Sequence, residues 1–149
     1  MAIKKNLSAS SEDYLEAIYN LICRHKVARS KDIAESLGVS RASVTGALKS
    51  LNSKGLVDYK PYGFIGLTEK GTQQAESVVR RHNIIESFFV NVLGVEQRAA
   101  KQAACKAEHA LGPYVISRLL SFTEFSTSYS KKGADITAEF NKYCRSKGV

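Results

Sequence analysis

The segment 30–51 constrains the fold most, because it has the pattern of a helix-turn-helix. Ala34 is small where a second helix must cross closely, and Gly38, four residues later, permits the left-handed backbone of a tight turn. Val44 follows Ala34 by ten residues, at the position that packs back against the preceding helix. The pattern therefore predicts two short helices joined by a turn, with the apolar side of the second helix buried.

The opposite face of that second helix carries short or cationic side chains, which suit close approach to the major groove of DNA. Together with the serine that caps the helix, these candidate DNA-binding residues are Ser40, Arg41, Ala42, Ser43, Thr45, Gly46 and Lys49. Small side chains allow the helix to enter the groove, and an arginine can reach a guanine edge. We therefore predict that this helix is a recognition helix.

After the helix-turn-helix, the apolar residues no longer follow helical spacing. The new pattern predicts a small β-hairpin with strands at 56–59 and 64–67, so that the unit is a winged helix. Lys60 and Tyr62 at the hairpin tip, and Arg29 just before the helix-turn-helix, are further candidate DNA contacts. Residues 24–60 contain eight basic and three acidic side chains, a net charge of +5 within a chain of +8. This excess favours a polyanionic partner whose binding weakens with salt.

Helical periodicity dominates the remaining chain, so the predicted fold class is mainly α. The pattern predicts a first helix capped by Ser10 or Ser11, and caps at Ser30 and Ser40 for the two helices of the helix-turn-helix. After the hairpin it predicts helices at 68–93, 96–111, 114–122 and 134–146, with a Ser/Thr-rich loop at 123–133.

Several classes of protein are excluded by composition. No apolar run approaches the roughly 20 residues of a membrane helix, and the N-terminus lacks the apolar core of a secretory signal, so we expect no membrane partner. Cys23, Cys105 and Cys144 form neither a disulfide framework nor a CxxC motif, which indicates a reducing, cytoplasmic location.

Two groups of metal-capable side chains lie in the second half of the chain. His82 and Glu86 are four residues apart on one helix, and Cys105, Glu108 and His109 share one arc of the next. Each group alone is compatible with a helix-stabilising ion pair or a core thiol. Thiolate, carboxylate and imidazole together favour a divalent transition metal over Ca²⁺ or Mg²⁺.

The sequence resembles the diphtheria toxin repressor family, which consists of metal-dependent winged-helix repressors with an iron branch and a manganese branch. The resemblance covers nearly the whole chain and depends most on SEDYLEAIY at 11–19, RHNIIE at 81–86 and CKAEH at 105–109. It implies a winged helix-turn-helix DNA-binding domain at 1–71 and an all-helical metal-binding and dimerisation domain at 72–149. It also implies a homodimer that binds palindromic operator DNA and controls metal-homeostasis genes, in a short form without the SH3-like domain of some iron-type members.

The ligands that the resemblance implies mix the two branches. His82, Glu108 and His109 correspond to ligands of both branches, and Cys105 to the cysteine of the iron branch. Asp13 and Glu16 in the first helix correspond to carboxylates of the manganese branch. Glu86 corresponds to an ancillary iron-type ligand, but Lys101 replaces the second histidine of that ancillary site. A charged amine cannot serve as a ligand there.

The mixed ligand set indicates an order of preference among the candidate metals. A cysteine favours Fe²⁺ or Zn²⁺, whereas two carboxylates favour Mn²⁺ or Fe²⁺, so Fe²⁺ is the first choice, Mn²⁺ the second, and Zn²⁺ is also compatible.

Two other functions are consistent with parts of the pattern. One is a winged-helix regulator that senses an organic ligand or no ligand, in which Cys105, Glu108 and His109 are only core and surface residues. The other is a carboxylate-bridged metalloenzyme, whose two Glu-x-x-His helices are missing because Glu108 and His109 are adjacent. We therefore predict that the protein is not an enzyme.

Overall fold

The computed structural model describes residues 7–149, which form seven helices and one two-stranded hairpin. The elements are α1 (Ala9–His25), α2 (Ser30–Leu37), α3 (Arg41–Ser53), β1 (Val57–Asp58), β2 (Gly66–Leu67), α4 (Glu69–Asn91), α5 (Gln97–Ala107), α6 (Pro113–Ser130) and α7 (Ile136–Lys147). Contacts divide the chain into a first unit that ends at Val79 and a second that begins at Arg80. The predicted mainly helical fold is confirmed, whereas the domain boundary at 71/72 stays a prediction.

The first unit contains the predicted helix-turn-helix. Val44 and Leu48 are fully buried and Leu51 is nearly so, which confirms the apolar side of α3. Gly38 adopts a left-handed backbone with φ of 65°, and its N–H donates to carbonyls at the end of α2. The spacing of a small residue, a glycine and a valine therefore produced the expected turn.

Two of the three predicted helix caps are wrong. Helix α1 begins at Ala9, and Ser8 is its cap, because the Ser8 hydroxyl accepts from the Ser11 N–H at 3.2 Å. Helix α2 begins at Ser30 itself, with Arg29 in the extended cap position and no side-chain cap. The cap at Ser40 is confirmed, since its hydroxyl accepts from the Ser43 N–H at 3.1 Å.

The wing is a two-stranded antiparallel hairpin that pairs Val57 with Leu67 and Asp58 with Gly66. Its strands are shorter than predicted, and a bridge between Ala28 and Ile65 attaches the second strand to the segment before α2.

Helix α4 begins close against the wing. A Cβ atom on Gly71 would lie only 1.8 Å from the carbonyl oxygen of Leu56. Only glycine fits there, because backbone cannot yield as a flexible side chain can.

The second unit consists of the C-terminal part of α4 and helices α5, α6 and α7. Its buried apolar cluster is small and contains Ile85, Ala104 and Ile116. Among residues 7–149, no helix is both long enough and apolar enough to cross a membrane.

The predicted loop at 123–133 is wrong over most of its length, because α6 continues to Ser130. The hydroxyls of Thr123, Thr127 and Ser130 each donate to the carbonyl four residues earlier, at 2.9–3.0 Å. These side chains therefore bond along the helix instead of diverting the backbone into turns. Conversely, α5 ends at Ala107, before the predicted end at 111.

Candidate metal centre and DNA interface

A buried histidine lies at the centre of the metal-capable side chains of the second unit. His82, on α4, is 6% exposed. Its Nδ1 lies 2.7 Å from Oε2 of Glu108, and its Nε2 lies 2.8 Å from Oε2 of Glu86. The two sequence groups on α4 and α5 therefore come together around one imidazole.

The imidazole of His82 faces a carboxylate oxygen at each of its nitrogens. Both contacts are hydrogen bonds only when the ring carries two protons, because a neutral ring has one N–H and one lone pair. A neutral ring donates to one carboxylate and presents its lone pair on the other side. A metal-binding histidine is typically oriented in this way, by a carboxylate that accepts from one ring nitrogen while the other nitrogen coordinates the metal.

Glu108 provides the strongest sign that a cation fits here. Its side chain is 1% exposed, and within the described residues its Oε1 has no hydrogen-bond partner. His109 Nε2 lies 3.3 Å from Oε1, close enough for an ion pair but outside hydrogen-bond geometry. Two ligand atoms, each about 2.1 Å from one ion, lie about 3.0–3.4 Å apart, so this separation suits joint coordination.

Cys105 and Glu86 complete the group on opposite sides of His82. Cys105 Sγ lies 3.7 Å from His82 Nδ1, and the residue as a whole is exposed. The Glu86 carboxylate also accepts from the Gln97 side-chain amide. Lys101 is exposed on α5.

Two contacts around the centre were not predicted from the sequence. The Gln97 amide holds Glu86, and the Arg81 guanidinium Nε donates to the Glu108 carbonyl oxygen at 3.1 Å. The Arg81 bond joins residues 27 apart in the chain, so no local spacing could reveal it.

The start of α5 is set by Glu96, whose carboxylate accepts from the backbone N–H groups of Arg98 and Ala99 at 2.8 and 3.0 Å. These bonds, the Arg98 bond foremost, hold the pKa of Glu96 below its usual value. The carboxylate thereby fixes the first turn of the helix that carries Cys105 and Glu108.

The remaining predicted ligands lie in the first unit. Asp13 and Glu16 are both half-buried on α1, and their separation of three residues places them on one side of that helix.

The predicted DNA-binding face is accessible. Arg41, Ala42, Ser43, Gly46 and Lys49 are exposed on α3, as are Arg29, Ser40, Lys60 and Tyr62 beside it and on the wing. Thr45 is half-buried, and its hydroxyl donates to the Arg41 carbonyl at 3.1 Å. The Ser40 hydroxyl is engaged as the cap of α3, so in this arrangement it contributes to helix stability.

Comparison with known families accounts for both units. Residues 6–65 match the iron dependent repressor N-terminal DNA binding domain, and residues 68–137 match the iron dependent repressor metal binding and dimerisation domain. The chain belongs to the iron-dependent repressor family. The resemblance to the diphtheria toxin repressor family is thereby confirmed, and this is a family of metal-dependent transcriptional regulators.

Relatives of this chain include regulators from several organisms. An HTH-type transcriptional regulator of Methanocaldococcus jannaschii is 39% identical over 119 residues, which cover 79% of this chain and 95% of the relative. The transcriptional regulator MntR of Salmonella typhimurium is 36% identical over 113 residues, which cover 76% of this chain and 71% of MntR.

Solved structures are similar as well. A manganese-dependent transcriptional repressor in complex with manganese matches with a TM-score of 0.72 and 31% identity, over 77% of this chain and 53% of that one. IdeR of T. acidophilum matches with a TM-score of 0.69 and 26% identity, over 78% of this chain and 54% of that one. The chain thus spans about half the length of these structural relatives.

Proposed function

We propose that this protein is a cytoplasmic, metal-activated transcriptional repressor that binds palindromic operator DNA as a homodimer and controls metal-homeostasis genes. The observation that carries the proposal is the buried Oε1 atom of Glu108, which lies without a hydrogen-bond partner among the described residues. Leaving such an atom unsatisfied is unfavourable by about 1–3 kcal/mol or more. A bound cation removes that penalty.

The proposed metal ligands come from three helices. They are Asp13 and Glu16 of α1, His82 of α4, and Cys105, Glu108 and His109 at the end of α5, with Glu86 as a further ligand or as the group that orients His82. Lys101 argues against an ancillary site of the iron type, because its charged amine offers no lone pair.

The donor set supports Fe²⁺ as the first choice. A thiolate at Cys105 disfavours Mn²⁺ relative to Fe²⁺ or Zn²⁺, and the carboxylates of Asp13 and Glu16 disfavour Zn²⁺ relative to the harder ions. Manganese is the second choice and zinc the third.

Activation follows from the proposed ligand set. Asp13 and Glu16 belong to the DNA-binding part of the chain, whereas the other ligands belong to the part that matches the dimerisation domain. The metal supplies the positive charge that holds these anionic side chains together, and without it they repel one another. The DNA-competent arrangement is then less populated, and the apparent DNA affinity falls by the same fraction.

An exposed aromatic face supports dimerisation. Helix α6 buries only Ile116 and Ser126 of its residues. Phe122, Phe125 and Tyr129 form a continuous row of ring contacts, and each remains 44–53% exposed. The row lies inside the segment that matches the dimerisation domain, so we assign a second copy of this chain as its occupant.

The test is a DNA-binding titration with controlled metal. Metal-free protein is prepared without oxygen, and duplexes that bind in the presence of Fe²⁺ are enriched from a random library. We expect palindromic duplexes whose affinity falls when a chelator is added, with Fe²⁺ more effective than Mn²⁺ or Zn²⁺. Affinity that is unchanged by metal and by chelator would overturn the proposal and favour a winged-helix regulator with another ligand or none.

A further inference from the structure

A cationic and an aromatic side chain face each other at the base of the wing. The N–H of Ile65 donates to the carbonyl oxygen of Ala28 at 3.1 Å, and both side chains are buried. In this antiparallel bridge the neighbouring residues, Arg29 and Phe64, are opposite each other. Because side chains alternate along extended backbone, these two project away from the core.

The backbone of Arg29 is restrained on both sides. The bridge at Ala28 precedes it, and α2 begins directly after it, with Arg29 in the extended cap position at φ of −125° and ψ of 151°. The origin of its long side chain is therefore fixed relative to the helix-turn-helix.

The guanidinium carbon of Arg29 lies over the ring of Phe64, 5.7 Å from its centroid. Phe64 is 65% exposed, so the ring offers its face to the cation at the surface of the unit. The ring face attracts the cation, and it uses none of the five N–H donors of the guanidinium as conventional hydrogen bonds. Such an oriented guanidinium is prepared to donate to acceptor oxygens on a nucleic acid, with less rotamer freedom to lose on binding.

We propose that Arg29 contacts the DNA duplex beside the wing and that Phe64 is the positioning residue that holds its guanidinium for that contact. This inference rests on the DNA binding of the proposed function, and it adds Phe64 to the candidate DNA-binding residues as a residue that acts through Arg29. The acceptor is an oxygen or nitrogen at the DNA surface, either on a phosphate or on a base edge in the minor groove.

The test compares variants by fluorescence anisotropy on two probes, the duplex enriched by the metal-loaded protein and a fixed 20-bp duplex of random sequence at low salt. The variants are Phe64→Ala, Phe64→Leu, Phe64→Tyr, Arg29→Ala and the double variant Arg29→Ala/Phe64→Ala. The matched control is Tyr143→Ala, which removes the ring of a second cation–π pair, with Lys147 at 5.8 Å on α7.

We expect Phe64→Ala and Phe64→Leu each to weaken DNA binding by about two- to fivefold, the effect of one exposed cation–π contact. Phe64→Tyr keeps the ring and should retain wild-type affinity, as should the control. In the Arg29→Ala background, Phe64→Ala should have no further effect, because the ring acts through the guanidinium. Equal thermal midpoints for Phe64→Ala and the wild type would show that the fold is unaffected.

Three outcomes would overturn the inference: wild-type affinity for Phe64→Ala, wild-type affinity for Phe64→Leu, or an equal loss for Phe64→Ala with and without Arg29. Replacing A·T by G·C pairs in the flanks distinguishes the acceptors, since only a minor-groove contact responds to that change. If no duplex is enriched with metal, the proposed function fails, while the random duplex still tests the pair.

Discussion

Replacing Glu108 by glutamine tests the metal centre while nearly preserving the shape of the side chain. The carboxylate is 1% exposed and lies beside both His82 and His109. Glutamine retains the volume but replaces the anionic ligand by a neutral amide. We therefore expect the variant to fold and to lose most of the stabilisation that metal provides.

The size of the effect follows from binding linkage. At a metal concentration of 100 Kd, the wild type gains about 2.7 kcal/mol from binding. For a chain of this length, about 1 kcal/mol corresponds to roughly 2–4 °C, so metal should raise the wild-type Tm by about 5–11 °C. Loss of a direct ligand should weaken binding by at least about 100-fold, the upper end for groups that only orient ligands. The same metal concentration then supplies about 0.4 kcal/mol, and the Tm should rise by less than about 2 °C.

The assay is thermal unfolding with and without Fe²⁺ under anaerobic conditions. Glu124→Gln is the matched control, because Glu124 is exposed on α6, and it should show the full wild-type shift. A full metal-induced shift in Glu108→Gln would refute the assignment of Glu108 as a ligand. Unfolding of the metal-free variant would instead make Glu108 a structural residue.

Three further predictions concern the dimer, the wing and the start of α5. Phe125→Glu should dissociate the dimer in sedimentation experiments, because a carboxylate buried without a partner is unfavourable by about 3 kcal/mol or more. The control is Thr127→Glu, at an exposed position on α6, which should remain dimeric. An unchanged dimer in Phe125→Glu would place the interface elsewhere. Gly71→Ala should lower the free energy of unfolding by about 1–3 kcal/mol in denaturant titrations, because the added Cβ would overlap the Leu56 carbonyl oxygen. Wild-type stability of this variant would contradict that packing. The lowered pKa of Glu96 stabilises the fold at pH above its usual value near 4.5, and this contribution is lost as the pH falls through the lower, folded-state value. Acid titrations of metal-free Glu96→Gln should therefore show a weaker loss of stability below that pH, and identical acid curves would show that the cap does not contribute.

The helix-turn-helix was predictable because its determinants are local. The burial of Val44 and Leu48 and the left-handed turn at Gly38 follow from residues within one short segment. The cap of α1 was not predictable in the same way, because Ser8, Ser10 and Ser11 lie within four residues and offer the same hydroxyl. The helical course of 123–130 was missed because serine and threonine favour turns by propensity, while here they bond back along the helix.

The candidate ligands were predictable in part for the same reason. Periodicity placed His82 with Glu86, and Cys105 with Glu108 and His109, on single helix faces. The spacing of residues within one helix does not indicate which face of a neighbouring helix those residues contact. The convergence around the imidazole therefore became visible only in three dimensions.

The contacts that support the site and the wing were missed because they join distant parts of the chain. The Arg81 bond to Glu108 and the cation–π contact between Arg29 and Phe64 each link segments more than 25 residues apart. Neither contact produces a periodic pattern in the sequence.

If metal binding and DNA binding are coupled in this protein, each ligand must change the affinity for the other by the same factor. The measurement is the affinity for Fe²⁺ in the presence and absence of the enriched duplex, compared with the affinity for that duplex in the presence and absence of Fe²⁺. We expect DNA to tighten metal binding by the same factor by which metal tightens DNA binding. A metal affinity that DNA leaves unchanged would show that the two sites are not coupled.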